Sequence, residues 1–309
     1  MIEISNLVKT FGATRAVDGI SFKVAKGEVL GFLGPNGAGK TTTMKVITGF
    51  YDPNEGQVLV AGLDTVKNSL RTRRLIGYLP ETVPLYDDMK VYEYLKFVAE
   101  ARDLETDKIL PRLREVVEKC GLQKVIGKNI DELSKGFRQR VGLAQAIMHD
   151  PDILILDEPT TGLDPNQIVE IRELIKAIGQ EKTVLFSTHI LAEAEATCDR
   201  VVIINKGKIV AEGQPQELMD KMANGQNIHL HVKGPMEQVV VVLKNISGVR
   251  SLDSQAGDGD QVGVYNLQVD VAKDVREAVS VALMEHRWPI LEFKTREINL
   301  EDIFRELTK

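Results

Sequence analysis

The sequence is poor in cysteine and has no long apolar run. Its two cysteines, Cys120 and Cys198, stand far apart and follow no metal-binding or redox spacing, so we expect free thiols. The longest aliphatic run, Val239 to Leu243, is far shorter than the ~20 residues that a membrane span needs. The N-terminus also lacks a basic segment followed by an apolar stretch. These absences predict a cytoplasmic protein, and any path across a membrane would belong to another polypeptide.

The sequence also lacks an excess of positive charge. Its formal net charge is −6 at pH 7, which argues against a nucleic-acid partner held by a broad basic surface. One short basic cluster, Arg71 to Arg74, could touch lipid headgroups or an acidic loop of a partner, although a solvated helix face is the default reading. We therefore expect no nucleic acid among the partners.

The first part of the chain reads as an α/β core with a helical insertion. It starts with β-forming segments, turns to helical periodicity over about 86–150, and then returns to short strands that are apolar on both faces. Such strands are typical of a buried parallel sheet. We predict a nucleotide-binding domain over 1–220 that also contains an antiparallel β-subdomain.

A second, smaller domain is predicted over 225–309, after a polar boundary at 222–227. Its apolar pattern has the order βαββαβ of a ferredoxin-like module and ends in a helix from about Leu300. The run Val239 to Leu243 suits either a helix or a strand, and the helix fits the order. The segment offers no catalytic constellation, so we expect a regulatory or dimer-stabilising role.

A glycine-rich loop follows the apolar run Val29 to Leu33 and opens a helical pattern. The residues of this loop and the helix start are Gly34, Pro35, Asn36, Gly37, Ala38, Gly39, Lys40, Thr41 and Thr42. Glycines let backbone N–H groups turn toward a phosphate, and the helix presents its positive dipole end to the same charge. Lys40 is expected to reach the β- and γ-phosphate oxygens, and the Thr41 hydroxyl to ligate Mg²⁺. The segment therefore predicts a P-loop that binds a nucleoside triphosphate.

Two carboxylates follow a second buried strand. Ile153 to Leu156 leads into Asp157 and Glu158, which places both at the carboxyl edge of the sheet, where ligands of open α/β folds bind. Asp157 suits the Mg²⁺ shell, and Glu158 suits orienting or deprotonating the water that attacks the γ-phosphate. An acidic pair that only solvates a loop is the alternative, and the P-loop upstream disfavours it.

Three more segments complete a recognisable order of motifs: Leu133-Ser134-Lys135-Gly136-Phe137, Gly162-Leu163-Asp164 and Ser187-Thr188-His189. Together with the P-loop and the acidic pair, they make the chain resemble the ATP-binding subunit of ABC transporters. The resemblance covers residues 1 to about 220 and implies a P-loop NTPase core that binds ATP. It further implies that 133–137 is the signature motif, Asp164 the D-loop acid and His189 the switch histidine that contacts the γ-phosphate.

The resemblance also implies a dimer. Read alone, Ser134 is a good helix N-cap that would point a helix N-terminus and the Gly136 backbone at a phosphate. In the family this segment faces the nucleotide of the opposite subunit, so two ATP molecules would lie within a head-to-tail homodimer or a dimer with a paralogous subunit. Separate transmembrane permease subunits would complete the transporter, and this chain would sit peripherally on the cytoplasmic face of the membrane.

Two motifs depart from the family pattern. In the signature, Lys135 and Phe137 replace a glycine and a glutamine, while Ser134 and Gly136 remain. In the Q-loop region, Glu81 stands where a glutamine is expected. A carboxylate can still ligate Mg²⁺ or accept a hydrogen bond from water, but it adds negative charge near the triphosphate. We carry Glu81 as a candidate nucleotide-binding and metal-binding residue.

Other candidates are less specific. Phe11 occupies the place where the family stacks an aromatic ring on adenine, and the alternative is a core phenylalanine. His229 and His231 share one face if Ile228 to Val232 is a strand, which is compatible with a metal, but no third ligand is visible in the sequence. A surface or packing role is therefore expected for both histidines.

The leading functional hypothesis is an ATPase that powers an ABC transporter, most similar to exporter subunits of the drug-export, sodium-export and gliding-motility types. The membrane partner would choose the transported substrate. One alternative is a soluble ABC ATPase acting on DNA or ribosomes, but the chain lacks the long coiled coil or the second cassette that these need. Another is a slowly hydrolysing regulatory subunit, which Glu81 and the altered signature motivate.

Overall fold

The computed structural model describes residues 1–222, 226–257, 259, 261–269 and 274–296. Two compact units divide between Pro215 and Gln216. The boundary stretch 222–227 of the sequence analysis lies beyond this division and partly outside the described residues. The terminal helix predicted from about Leu300 also lies outside them.

The first unit is an α/β structure. In chain order its strands and helices are β1 (Ile2–Phe11), β2 (Thr14–Val24), β3 (Val29–Leu33), α1 (Lys40–Ile47), β4 (Glu55–Val60), β5 (Leu63–Asp64), α2 (Ser69–Leu75), β6 (Ile76–Leu79), α3 (Val91–Ala101), α4 (Thr106–Lys119), α5 (Lys135–Ile147), β7 (Ile153–Asp157), α6 (Pro165–Gly179), β8 (Thr183–Thr188), α7 (Leu191–Thr197), β9 (Arg200–Asn205) and β10 (Lys208–Gly213).

A six-stranded sheet in the order β10-β9-β3-β8-β7-β6 positions the loops that follow its strands. All neighbouring strands are parallel except β10, which closes one edge in the antiparallel direction. Strands β3, β7 and β8 are buried along their whole length, as the apolar residues at the centre of each predict. Leu33 pairs with Thr188 and Asp157 with Ser187, so three strands end side by side at one sheet edge.

A second sheet, in the order β2-β1-β4-β5, is antiparallel and confirms the predicted β-subdomain. Its apolar face packs on the first sheet through Phe22 and Phe32, whose rings stack with centroids 5.2 Å apart. Both rings are buried, which keeps β2 of the long β1–β2 hairpin against β3.

The helical part consists mainly of α3, α4 and α5, within the range predicted from the sequence. In α3 the buried residues recur at helical spacing, and they are Val91, Tyr94, Leu95, Val98 and Ala99. The α5 helix begins after Ser134, whose hydroxyl accepts a hydrogen bond from the backbone N–H of Phe137 at 3.5 Å. No helix of the described residues is both long and apolar enough to span a membrane.

The second unit is ferredoxin-like. The helix α8 (Pro215–Met222) begins at the division between the units, and the elements that follow it are β11 (Gln226–Lys233), α9 (Met236–Lys244), β12 (Val249–Ala256), β13 (Val262–Val269), α10 (Arg276–Glu285) and β14 (Ile290–Arg296). The sheet is antiparallel in the order β12-β13-β11-β14, as the order βαββαβ predicts. The ambiguous valine run is helical, because Val239 and Leu243 fall one turn apart on the buried side of α9.

A substitution at Gly77 on β6 would test how tightly the helical part packs on the sheet. A Cβ atom there would lie 2.1 Å from the backbone oxygen of Ala146 on α5, and a backbone atom cannot move aside cheaply. We expect Gly77→Ala to lower the free energy of unfolding by about 1–3 kcal/mol. A Cβ at Gly127 meets nothing within 4 Å, so Gly127→Ala is the matched control. Urea titration followed by circular dichroism checks both, and equal unfolding midpoints would contradict the packing argument.

Candidate active site

The loop between β3 and α1 holds its lysine against backbone oxygens. Lys40 is 6% exposed, and its Nζ donates to the carbonyl oxygens of Gly34 at 2.7 Å and Pro35 at 3.2 Å. Gly39 adopts a φ of 109°, and a Cβ there would meet the Ala16 carbonyl oxygen at 2.5 Å. Only glycine fits this close approach of the loop to β2, so the residue type at this position is set by geometry.

Asp157 is fully buried at the end of β7. Its Oδ1 accepts hydrogen bonds from Ser187 Oγ at 2.6 Å and Thr41 Oγ1 at 3.2 Å, whereas its Oδ2 has no partner within the described part of the chain. Burial raises the pKa of Asp157, the charges of Glu81 and Glu158 add to the rise, and the two hydrogen bonds oppose it. A buried carboxylate oxygen beside a hydroxyl is a fitting ligand pair for a hard cation such as Mg²⁺.

Glu158 connects three other groups of the site. Its Oε1 lies 3.1 Å from Lys40 Nζ, and its Oε2 accepts from Thr161 Oγ1 at 3.1 Å and contacts His189 Nδ1 at 2.8 Å. The residue has a φ of 50°, a left-handed conformation that costs a non-glycine residue about 1–3 kcal/mol. Its backbone N–H donates to Ser187 Oγ at 3.0 Å, which helps to hold that conformation.

A cavity of ≈ 440 Å³ opens over these groups. Its lining residues are Ala16, Asn36, Gly37, Gly39, Lys40, Thr41, Thr42, Glu81 and Glu158. The structure therefore brings the P-loop, the Q-loop position Glu81 and the catalytic candidate Glu158 to one space. The volume lies within the range of small-molecule binding sites.

Phe11 lies outside the lining of this cavity, at the end of β1. Its ring is 44% exposed and meets the edge of Tyr51 at a centroid distance of 5.2 Å. Lys9 Nζ lies 5.4 Å from the centre of the Phe11 ring. The alternative of a core phenylalanine is therefore wrong, and an accessible ring that could stack on a base is what remains.

The signature and D-loop residues are also apart from the cavity of their own chain. Asp164 caps α6, with its Oδ1 accepting from the Gln167 backbone N–H at 3.0 Å. The Gln167 side chain packs over Gly136, where a Cβ would come within 2.6 Å of it. Ser134 and Asp164 are exposed at the starts of α5 and α6, so the two helix N-termini lie together at the surface.

The sequence motifs assigned no role to Ser187 and Thr161, which hold the two carboxylates. Ser187 stands beside His189 in its motif, but its place opposite Asp157 comes from the strand pairing, which the sequence does not show. A second buried group was also missed: the Glu193 carboxylate accepts from Thr160 Oγ1 at 2.9 Å and Thr188 Oγ1 at 2.8 Å. It braces the loops after β7 and β8, and an acidic residue on a short helix gives no sequence signal for this role.

Comparison with known proteins agrees with the fold and the site. A family model described as ABC transporter matches residues 17–161. The linearmycin resistance ATP-binding protein LnrL of Bacillus subtilis (strain 168) is 32% identical, and the match covers 100% of this chain and 98% of that protein. The Nod factor export ATP-binding protein I of Rhizobium meliloti is 34% identical over 99% of this chain and 88% of its own length.

Solved structures show the same relationship. A chain described as "Structure of ATP binding subunit of ABC transporter" is 31% identical, with a TM-score of 0.66 over 72% of this chain and 93% of its own length. This chain belongs to the ABC transporter family. It is an ATP-binding subunit of that family of ATPases, which confirms the resemblance drawn from the motifs. The comparisons give no support to a soluble factor acting on DNA or ribosomes.

The raised pKa of Asp157 predicts that its ionised carboxylate lowers the free energy of unfolding of the metal-free protein. The native chain keeps this proton to a higher pH than the unfolded chain, so ionised Asp157 destabilises the metal-free protein at pH 7, and the cost fades as the pH falls through the raised pKa. We expect Asp157→Asn, which keeps an oxygen acceptor, to raise the free energy of unfolding at pH 7, to raise it less in acid, and to weaken Mg²⁺-ATP binding.

Urea unfolding in EDTA at two pH values checks the sign. Asp164→Asn is the control, because an exposed cap carboxylate replaced by an equally good capping residue is expected to change stability by less than about 0.5 kcal/mol. A destabilised Asp157→Asn protein at pH 7 would contradict the assignment of buried, uncompensated charge.

Proposed function

We propose that this chain hydrolyses ATP in the cavity over Lys40 and Glu158 and powers an exporter. The observation that supports this proposal most directly is that Glu158 contacts both Lys40 and His189 at the wall of the cavity formed by the P-loop. The export direction is supported by the two relatives matched along nearly their full lengths, whose names state linearmycin resistance and Nod factor export.

The contacts suggest how the groups divide the work. Lys40 and the backbone N–H groups of the loop bind phosphate oxygens, which compete with Glu158 for the lysine. Glu158, freed from that ion pair, accepts a proton from the attacking water or orients it. His189 is partly exposed and lies 2.8 Å from Glu158, a residue of the cavity wall, so its ring is a candidate to hydrogen-bond the γ-phosphate.

Mg²⁺ fits the same site. Thr41 and Asp157 would hold the ion, because the Thr41 hydroxyl already contacts Asp157 Oδ1 and the second carboxylate oxygen, Oδ2, has no partner within the described residues. Glu81 on the cavity wall is a third candidate. The bound ion supplies positive charge that offsets the phosphates and the buried carboxylate. A carboxylate in place of the usual glutamine at position 81 would then be compensated by the metal.

Dimer formation is supported by the separation of the site into two halves. Ser134, Gly136 and Asp164 lie at helix N-termini away from the cavity of their own chain. A second copy, or a paralogous subunit, arranged head to tail would bring these N-termini to the phosphates in the cavity. ATP-dependent closure of the two chains would be the step that drives transport.

A grooved surface of the first unit suits a permease. Three adjoining depressions share Arg102, two of them share Arg73, and the exposed apolar side chains Phe50, Leu70 and Phe97 line them. Basic groups among exposed apolar ones fit an amphipathic helix with acidic residues. We propose that a cytoplasmic helix of the membrane subunit docks here and that the chain lies peripherally on the cytoplasmic face of the membrane.

For the second unit we propose a regulatory or dimer-stabilising role. Its core of α9, α10 and the four-stranded sheet supports a folded module, and its sequence carries no second P-loop motif. A folded module without such chemistry is suited to contacts with another subunit.

The catalytic role of Glu158 is testable in the purified chain. We expect Glu158→Gln to lower the rate of phosphate release by about 100-fold or more and to accumulate ATP-dependent dimers, because the amide keeps the shape but cannot take a proton. Phosphate release and size-exclusion chromatography with Mg²⁺-ATP measure both effects. Glu118→Gln, on the exposed side of α4, is the control with unchanged turnover. Undiminished turnover in Glu158→Gln would exclude Glu158 as the base.

The docking surface is testable in the native host. Phe97→Asp places a charge where an apolar contact is proposed, and we expect the fraction of the chain recovered with washed membranes to fall by about tenfold or more. Leu110→Asp, at an equally exposed leucine of α4 outside the three depressions, is the control. ATPase activity of the purified variants should stay at the wild-type level. Unchanged membrane recovery of Phe97→Asp would place the partner elsewhere.

A further inference from the structure

Two histidines of β11 lie on the sheet face opposite the core of the second unit. Ile228, Leu230 and Val232 alternate with them and are fully buried, while His229 and His231 are half-buried on the other side. Both imidazoles therefore project from a rigid central strand that hydrogen-bonds to β13 and β14 on either side.

The fold supplies the third ligand that the sequence did not reveal. His231 pairs across the sheet with Glu292 of β14, and a β-bulge directly follows this pair. One ring nitrogen of each histidine and one carboxylate oxygen of Glu292 lie within 4.8 Å of one another. Glu292 lies far from His231 along the chain, and only the strand register brings them together.

The distances bring the three side chains within reach of one cation. His229 Nε2 lies 3.1 Å from His231 Nε2, whereas Glu292 Oε2 lies 3.6 Å from the other ring nitrogen of His231, Nδ1. Zn²⁺ binds imidazole nitrogen and carboxylate oxygen at about 2.0–2.2 Å in tetrahedral geometry, which separates neighbouring ligand atoms by about 3.3 Å. The two Nε2 atoms are close to that spacing, and because one ion takes only one nitrogen of His231, a rotation of the Glu292 side chain toward Nε2 would complete the set.

Asn266 of β13 orients one of the ligands. Its Oδ1 lies 2.7 Å from His229 Nδ1, and because an amide oxygen can only accept, the Nδ1–H of the imidazole donates to it. This tautomer leaves the lone pair on Nε2, the atom that faces His231. A hydrogen bond from the distal ring nitrogen to an oxygen is the usual support of a metal-binding histidine.

Glu292 presents one carboxylate oxygen to the histidines. Lys294 binds Oε1, which leaves Oε2 toward His231. The side chain is half-buried beside the two imidazoles, so this oxygen is the third ligand atom that the strand register supplies.

We propose that His229, His231 and Glu292 form a binding site for a divalent transition-metal ion of the Zn²⁺ class. Two imidazoles and one carboxylate favour Zn²⁺, Co²⁺ or Ni²⁺ over Mg²⁺ and Ca²⁺, which prefer oxygen ligands only. Water would fill the fourth position. The ion would link the central strand β11 to its neighbour β14, and its binding would stabilise the second unit independently of ATP hydrolysis.

Calorimetric titration of Zn²⁺ into the EDTA-treated and desalted full chain tests the site, with excess Mg²⁺ present to occupy the carboxylates of the nucleotide site. We expect one Zn²⁺ per chain, with affinity weakened by about tenfold or more in His229→Ala, His231→Ala and Asn266→Ala. His286→Ala is the matched control, because that exposed histidine stacks on Trp288 and is not part of the cluster.

Two further measurements, the absorption of bound Co²⁺ and the Tm with Zn²⁺, test the same site. Co²⁺ bound by the wild-type chain should show visible d–d absorption that His231→Ala lacks, and Zn²⁺ should raise the Tm of the wild type more than that of His231→Ala. No saturable Zn²⁺ binding up to about 0.1 mM would overturn the proposal and leave a hydrogen-bonded histidine pair only. Equal binding by the wild type, His231→Ala and His286→Ala would overturn it as well.

Discussion

Burial of opposite charges at one sheet edge is the constraint on which the rest of the site depends. Lys40 and Glu158 are almost completely buried and lie 3.1 Å apart, with Asp157 next to them. Charges removed from water must be paired or hydrogen-bonded, and breaking such a pair leaves an uncompensated charge. The P-loop carbonyls, Ser187 and the neighbouring threonines meet that requirement in part and leave one oxygen of Asp157 without a partner, so the local structure is organised around these charges before any nucleotide contributes.

The same burial leaves local energetic costs in the site that ligand binding can relieve. Asp157 keeps one oxygen without a partner. Glu158 has a strained backbone conformation and shares its carboxylate between Lys40 and His189. Each is a local cost that a phosphate and a cation can relieve. Binding of the phosphate and the cation would therefore stabilise the first unit through the same residues that we assign to hydrolysis.

Much of the fold and of the candidate site was predictable from particular segments of the sequence. The β3 run with its glycine loop, and the β7 run with its carboxylates, carry strong local signals because buried parallel strands are uninterrupted and apolar. The cap at Ser134 and the helix α3 follow from equally local rules. Ser187 and Glu193 were missed because a serine or glutamate carries no signal of its own; their roles depend on which strand end lies beside which.

The sequence by itself determined the family, the nucleotide loop, the acidic pair and the order of elements in both units, because each depends on residues close together in the chain. Only the tertiary structure decided which distant residues meet. Strand pairing set Ser187 beside Asp157 and Glu292 beside His231, and the turn into Glu158 aimed its carboxylate at Lys40. Register is a property of the whole sheet, and no local pattern specifies it.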